Sequence, residues 1–252
     1  MAGHSKWSQI KRKKAAEDQK RGKLFGKLAR EITVAAREAG GDPDGNPRLR
    51  VAIDSAKAAN MPKDNIEKAI LRGTGELPGM SFEDVTYEGY GPAGVAIYIE
   101  AVTDNTNRTV ADLRRLLERH GGNLGRDGSV AWNFERKGQL FIDAEHFDEV
   151  ATLEAALDAG AQDMAQEGHL FLVTTDPTQF HAVRESLRAR GIETVDARLG
   201  MVPSSTVRVE GRDAEKLIAL LEALEDHDDV QSVYSNLDID EALLAELAGA
   251  GQ

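Results

Sequence analysis

The sequence predicts an α+β, multi-domain fold: a helical N-terminal domain followed by two ferredoxin-like α/β domains, one inserted into the other. Three observations predict it. Apolar residues recur at helical spacing through the first 75 residues. A turn-rich stretch, "GTGELPGM" (Gly73–Met80), closes that region. Beyond it, strand patterns alternate with helical ones.

In the first region, Leu24, Phe25, Leu28, Ile32 and Ala35 or Ala36 mark one helix face, and Gly40-Gly41 ends the helix. Asn46 then Pro47 reads as an N-cap followed by Pro at N1, opening a helix with Leu49, Ile53 and Ala56 inward. Pro62 at a second N1 opens a third, carrying Ile66, Ala69 and Ile70 and stopped by Gly73. Residues 5–20 differ. Trp7 and Ile10 are their only large apolar side chains, so the segment buries little and reads as a mobile helix or an arm that orders on contact.

Past the linker, "GVAIYIEAV" is a strand, Asn107 to His120 a helix, and "SVAWNFE" a second strand. "GQLFIDA", 146–158, "AQDMAQE", "HLFLVTT", 177–190 and "IETVDARLG" complete a β-α-β-β-α-β unit. "STVRVEG", 213–226 and "VQSVYSNLD" give a further β-α-β, which joins the first half-unit. The expected domains are therefore 1–78 (basic and helical), 79–137 with 204–238 (split ferredoxin-like), 138–203 (inserted ferredoxin-like) and 239–252 (C-terminal helix or tail).

The charge is divided as sharply as the pattern. The whole chain carries 31 Lys+Arg and 43 Asp+Glu, a formal net charge of −12. The first 72 residues hold 17 Lys+Arg against 9 Asp+Glu, a net of +8, so the remainder stands at −20. Such asymmetry points to nucleic acid or another anionic surface as partner, met at one end only. There is no cysteine, which excludes disulfides and thiolate chemistry. No apolar run approaches the about 20 residues of a membrane span, and the basic N-terminus lacks the apolar segment of a secretory signal. The expectation is a cytoplasmic protein with no membrane partner.

The basic residues concentrate in Lys6, Lys11, Arg12, Lys13, Lys14, Lys20, Arg21, Lys23, Lys27 and Arg30, among which the only acids are Glu17 and Asp18. A solvated helix face is the usual fate of a charge run, but this run lacks alternating acids, and an anionic partner relieves its self-repulsion. Lys and Arg bind phosphates without reading sequence. Trp7 among them is placed either to stack on a base or to pack on the helical domain. Arg48, Arg50, Lys57 and Lys63 extend the basic character, each reading individually as a surface charge. Arg108, Arg115 and Arg119 share a helix face, more a solvated one than a second phosphate contact.

Chemistry beyond binding has little support. The six histidines are scattered without zinc-binding spacing, and Walker A and GxGxxG patterns are missing. Val130, Trp132 and Phe134 alternate onto what reads as a helix-covered face, leaving Ala131, Asn133 and Glu135 as a poor stacking platform for RNA. Glu225, Asp226, Asp228 and Asp229 cluster at a helix end, where a solvated loop is the plainer reading than a Mg²⁺ site. The polar loop Thr103–Arg108 follows a strand and is either a cap and turn or a recognition loop.

Four blocks carry a family resemblance. "MAGHSKWSQIKRKKAAEDQKRGKLFGKLAREI", "GGDPDGNPRLRVAIDSAKAANMPKDNIEKAILRGTGE", "YEGYGPAGVAIYIEAVTDNTNRTVADLR" and "GGNLGRDGSVAWNFE" resemble the YebC/PmpR family, which includes mitochondrial translational activators of cytochrome oxidase. The resemblance implies three domains, a cytoplasmic location and a role in gene expression, either as DNA-binding transcriptional regulators or as ribosome-associated factors that relieve stalling at proline-rich stretches. It implies nucleic-acid contacts at Lys6, Trp7, Lys11–Lys14, Lys20, Arg21 and Lys23. It also marks Tyr87, Glu88, Tyr90, Asp104, Asn105, Asn107 and Arg108 as candidates for an interdomain or partner cleft.

The function expected is a non-enzymatic, DNA-binding transcriptional regulator without metal or cofactor. The alternatives are a ribosome-bound translation factor contacting ribosomal RNA, a metal-dependent structure-specific DNA nuclease, and a protein-binding scaffold using the acidic α/β domains.

Overall fold

The computed structural model describes residues 19–79 and 81–239, with side chains from residue 22 onward. The fold is mixed helix and sheet, and its described parts form two compact units. One spans 19–129 with 211–233, the other 130–210 with 234–239.

The first unit opens with three helices: α1 (Gln19–Ala39), α2 (Pro47–Ala58) and α3 (Lys63–Gly73). Asn46 caps α2 as its sequence predicts, its side chain accepting from Leu49 N, with Pro47 next. Pro62 is the cap of α3 rather than its first helical residue, a one-residue shift. Ile32, Ala35, Ala36, Leu49, Ile53, Ala56, Ile66 and Ala69 form the shared core. Gly73 does more than stop α3: a Cβ there would lie 2.4 Å from Thr33 O, so only glycine lets α1 and α3 approach this closely.

The sheet of this unit holds β1 (Glu83–Tyr90), β2 (Ala96–Thr103), β3 (Asn123–Leu124) and β9 (Val230–Ser235), in the order β3-β1-β2-β9. Helices α4 (Thr106–Arg119) and α7 (Gly211–Glu225) supply its other elements. Leu113, Leu117, Leu217, Leu220 and Leu224 are fully buried on them. Gly89 faces Leu117 and Gly91 faces Leu217 and Leu220, so the strand end carries no side chain where the helices press closest. Two sequence expectations change here. The position expected for "STVRVEG" is filled by β1, which precedes β2 and pairs with it from Glu83↔Thr103 to Tyr90↔Ala96. "STVRVEG" itself contributes only β8 (Val207–Arg208), paired in parallel with β10 (Leu237–Asp238).

The second unit is the β-α-β-β-α-β read from the sequence: β4 (Phe134–Asp143), α5 (Glu149–Asp158), β5 (Asp163–Glu167), β6 (Leu170–Thr175), α6 (Phe180–Ala189) and β7 (Asp196–Pro203). Its antiparallel order, β5-β6-β4-β7, is that of a ferredoxin-like sheet. Leu140, Ile142, Phe171, Val173, Val183 and Leu187 make its core. "SVAWNFE" is not a strand throughout. Residues 131–133 form a 3₁₀ turn, because Asn133 Oδ1 accepts from Ser205 N and Oγ at 3.0 and 2.9 Å and holds the chain bent. The alternation breaks there: Val130 and Phe134 are buried, but Trp132 is 75% exposed rather than turned into the core.

Among the described residues no helix is long and apolar enough to cross a membrane.

Candidate nucleic-acid interface

Of the expected phosphate contacts, Lys6, Trp7, Lys11, Arg12, Lys13 and Lys14 lie outside the described residues, as do the side chains of Lys20 and Arg21 in the first turn of α1. Lys23, Lys27 and Arg30 are described, and they sit at i, i+4 and i+7 on one stripe of α1. All three meet the chain itself. Lys23 Nζ donates to Asp226 O at 3.3 Å and Lys27 Nζ to Glu225 O at 2.6 Å. Arg30 Nη1 donates to Asp228 O, and its Nη2 lies 4.0 Å from Asp229 Oδ1. The Arg30 guanidinium also stands over the Phe82 ring, 5.9 Å from its centroid. The stripe thus closes the C-terminal end of α7, where carbonyls lack helical partners and the dipole is negative.

Four further cations of the bundle have acids of this unit within reach. Arg48 Nε reaches Glu31 at 2.9 Å, Nη1 reaches Glu38 at 2.7 Å and Nη2 reaches Asp84 at 2.9 Å, so one guanidinium ties α1 and α2 to β1. The Asp84 hydrogen bond leads in pushing the Arg48 pKa upward, against burial and with help from Glu31 and Glu38. Arg50 pairs with Asp44 at 3.7 Å, Lys57 with Asp54 at 3.9 Å and Lys63 with Glu67 at 3.3 Å.

The polar loop after β2 is a cap that also builds a buried node. Asn105 caps α4, accepting from Arg108 N at 3.1 Å. Arg108 Nη2 donates to Asp104 Oδ1 at 2.7 Å and to Asp229 Oδ2 at 2.8 Å. Thr109 Oγ1 donates to the same Asp229 oxygen at 2.8 Å, and Thr103 Oγ1 approaches it at 3.2 Å. The Asp229 side chain is only 4% exposed. Burial opposes its ionisation, but the hydrogen bonds from Arg108 and Thr109 and the charges of Arg108 and His227 outweigh that and hold its carboxyl below the usual range. Tyr87 is buried too, and its phenol is pushed upward by burial first, then by the charges of Asp229 and Glu83.

Three of the cleft candidates, Asp104, Asn105 and Arg108, therefore belong to this node, while Asn107 is exposed beside it. Glu88 and Tyr90 belong elsewhere, holding the turn after β3. Glu88 Oε1 accepts from Gly128 N at 2.6 Å, and Tyr90 Oη donates to Ser129 O at 2.8 Å. Asp229 is the residue that sequence reading missed as a centre, since it stood there as one of four acids in a solvated loop. Its signal was weak: an acid directly preceding the apolar start of a strand. Among the described residues no group of three or more His, Asp or Glu is placed to hold a metal ion.

Comparison with known proteins bears on what this arrangement serves. The profile described as "TACO1/YebC protein N-terminal domain" matches residues 5–76, and "TACO1/YebC second and third domain" matches 82–237. The chain belongs to the TACO1/YebC family. A relative from Halothermothrix orenii is 54% identical over 250 residues, covering 98% of this chain and 99% of the relative. One from Gemmatimonas aurantiaca is 56% identical over 246 residues, covering 98% and 100%. Both are named "Probable transcriptional regulatory protein". The crystal structure of a conserved hypothetical protein, Aq1575 from Aquifex aeolicus, is 47% identical with a TM-score of 0.79, over 89% of this chain and 93% of that one. The family is thus one of regulators by the names of its members.

Proposed function

We propose that this protein is a non-enzymatic, cytoplasmic regulator of gene expression that binds DNA through its N-terminal basic arm. Lys6, Lys11, Arg12, Lys13, Lys14, Lys20 and Arg21 meet phosphates, and Trp7 packs on or beside a base. One observation carries the reading. Arg48, Arg50, Lys57 and Lys63 each have an acid of their own unit within 4.0 Å, whereas the arm's sequence offers only Glu17 and Asp18 against seven Lys and Arg between residues 6 and 21. Regulator names among the relatives agree with it. A phosphate-led contact of this kind binds with modest sequence preference and weakens steeply with salt.

A ribosome-bound translation factor is the second reading. It needs the same basic arm, whose Lys and Arg meet ribosomal RNA phosphates as readily as those of DNA. Sedimentation of the tagged protein from gently lysed cells, with and without nuclease treatment, separates the two. Retention on DNA, lost when Lys11, Arg12, Lys13 and Lys14 are changed to Glu, supports the first. Co-migration with intact ribosomes, lost in the same variant, replaces it with the second.

A further inference from the structure

The stripe Lys23, Lys27 and Arg30 continues the basic arm into α1, yet its donors are taken. Three cations spaced along one helix face meet three backbone oxygens, those of Asp226, Glu225 and Asp228. That is the arrangement a run of phosphate oxygens would adopt on the same stripe: anionic or carbonyl oxygens, each receiving a charge-assisted hydrogen bond. The chain supplies the oxygens from the segment linking α7 to β9. The same segment adds the exposed carboxylates of Asp226 and Asp228, directly beside the stripe. Carbonyls occupy the donors, and carboxylates repel an approaching phosphodiester.

We propose that the Glu225–Asp229 segment is an internal competitor for DNA, occupying the part of the basic surface formed by Lys23, Lys27 and Arg30 and so ending the DNA footprint near residue 21. The inference rests on the DNA-binding reading above. The anchoring of the segment explains why it holds its place. Asp229 is fixed by Arg108, Thr103 and Thr109, and Val102 N donates to Asp229 O at 2.8 Å. Asp226 and Asp228 present exposed side chains from this anchored loop.

The test uses the full chain and a fluorescein-labelled DNA duplex, with affinity followed by anisotropy over a range of salt. Asp226→Asn with Asp228→Asn keeps the carbonyls and removes the repulsion, so it tightens binding by about fivefold at low salt and steepens the salt dependence, because the repulsion removed is itself screened by salt. Asp213→Asn with Glu215→Asn, at the far end of α7, changes net charge equally and leaves the slope unchanged. In a chain carrying Lys23→Ala, Lys27→Ala and Arg30→Ala, the same Asp226/Asp228 change gives no gain over the triple-alanine chain alone, closing a cycle that isolates the stripe. Melting temperatures of all variants exclude unfolding as the cause. An unchanged slope in the Asp226/Asp228 variant, or an equal gain in the Asp213/Glu215 control, overturns the competitor while leaving DNA binding by the arm intact. No binding by the wild-type chain, or by any variant, overturns both.

Discussion

The cations on the two sides of residue 22 keep different company. Downstream, Arg48 grips three carboxylates, Arg108 grips two, and the α1 stripe caps the end of α7. Upstream, seven basic residues from Lys6 to Arg21 have two acids among them. The formal charge of the first 72 residues mixes both populations, although their uses differ. Downstream charge fastens helices to a sheet; upstream charge is, in the proposed reading, what an anionic partner meets. The downstream set divides again by burial. The carboxylates around Arg48 are 29%, 48% and 44% exposed, whereas Asp229 is 4% exposed. Water screens the first network and not the second.

That division orders the expected losses. Asp229→Ala removes the buried acceptor shared by Arg108, Thr103 and Thr109, and chemical denaturation should show a loss of about 2–3 kcal/mol that added salt diminishes little. An undiminished stability would mean that the node is not a unit. Arg48→Ala leaves three partly exposed carboxylates facing one another. Its cost, about 1–2 kcal/mol, should shrink visibly in 0.5 M salt, on the order of the screening expected at such exposure. Neither change should alter DNA affinity once the protein is folded, which keeps structural and functional charge apart.

Acid sharpens the same contrast. Asp229 has a folded pKa below its unfolded one, so its contribution is complete above the unfolded value, about 4, and fades as pH falls through the folded value. Asp229→Asn should therefore flatten the acid limb of the stability profile and leave the neutral region offset by a constant amount. The smallest effect is expected at Ala93, a non-glycine residue at φ +58° beside Gly94 at +75°. Ala93→Gly removes left-handed strain and should stabilise the turn between β1 and β2 by about 0.5–1 kcal/mol, read as a raised melting temperature.

Much of the fold was legible because its signals were local. Asn46-Pro47 announced α2, and the alternating runs of the second unit announced all of its strands. The misreadings share a cause, a partner far away in the chain. Asn133 bends "SVAWNFE" by bonding to Ser205, which no local pattern reveals. The strand Glu83–Tyr90 carries acids and a glycine and reads poorly alone, yet β2 and β3 pair on either side of it. The candidate interface was legible only as charge. Lys23, Lys27 and Arg30 look identical to their neighbours in sequence, and only the return of the chain at 225–229 distinguishes them. Asp229 shows the same limit, since an acid in a run of acids acquires its role from Thr103, Arg108 and Thr109.

The central claim is that the upstream charge is the charge a partner meets. The most direct measurement is the salt dependence of duplex DNA affinity for the wild-type chain and for a variant with Lys11, Arg12, Lys13 and Lys14 changed to Ala. The account predicts a wild-type slope reduced by about three to four in the variant, following roughly 0.9 per lost phosphate contact, with an unchanged melting temperature. An identical slope in the two proteins would contradict it and move the contact to a surface that these residues do not form.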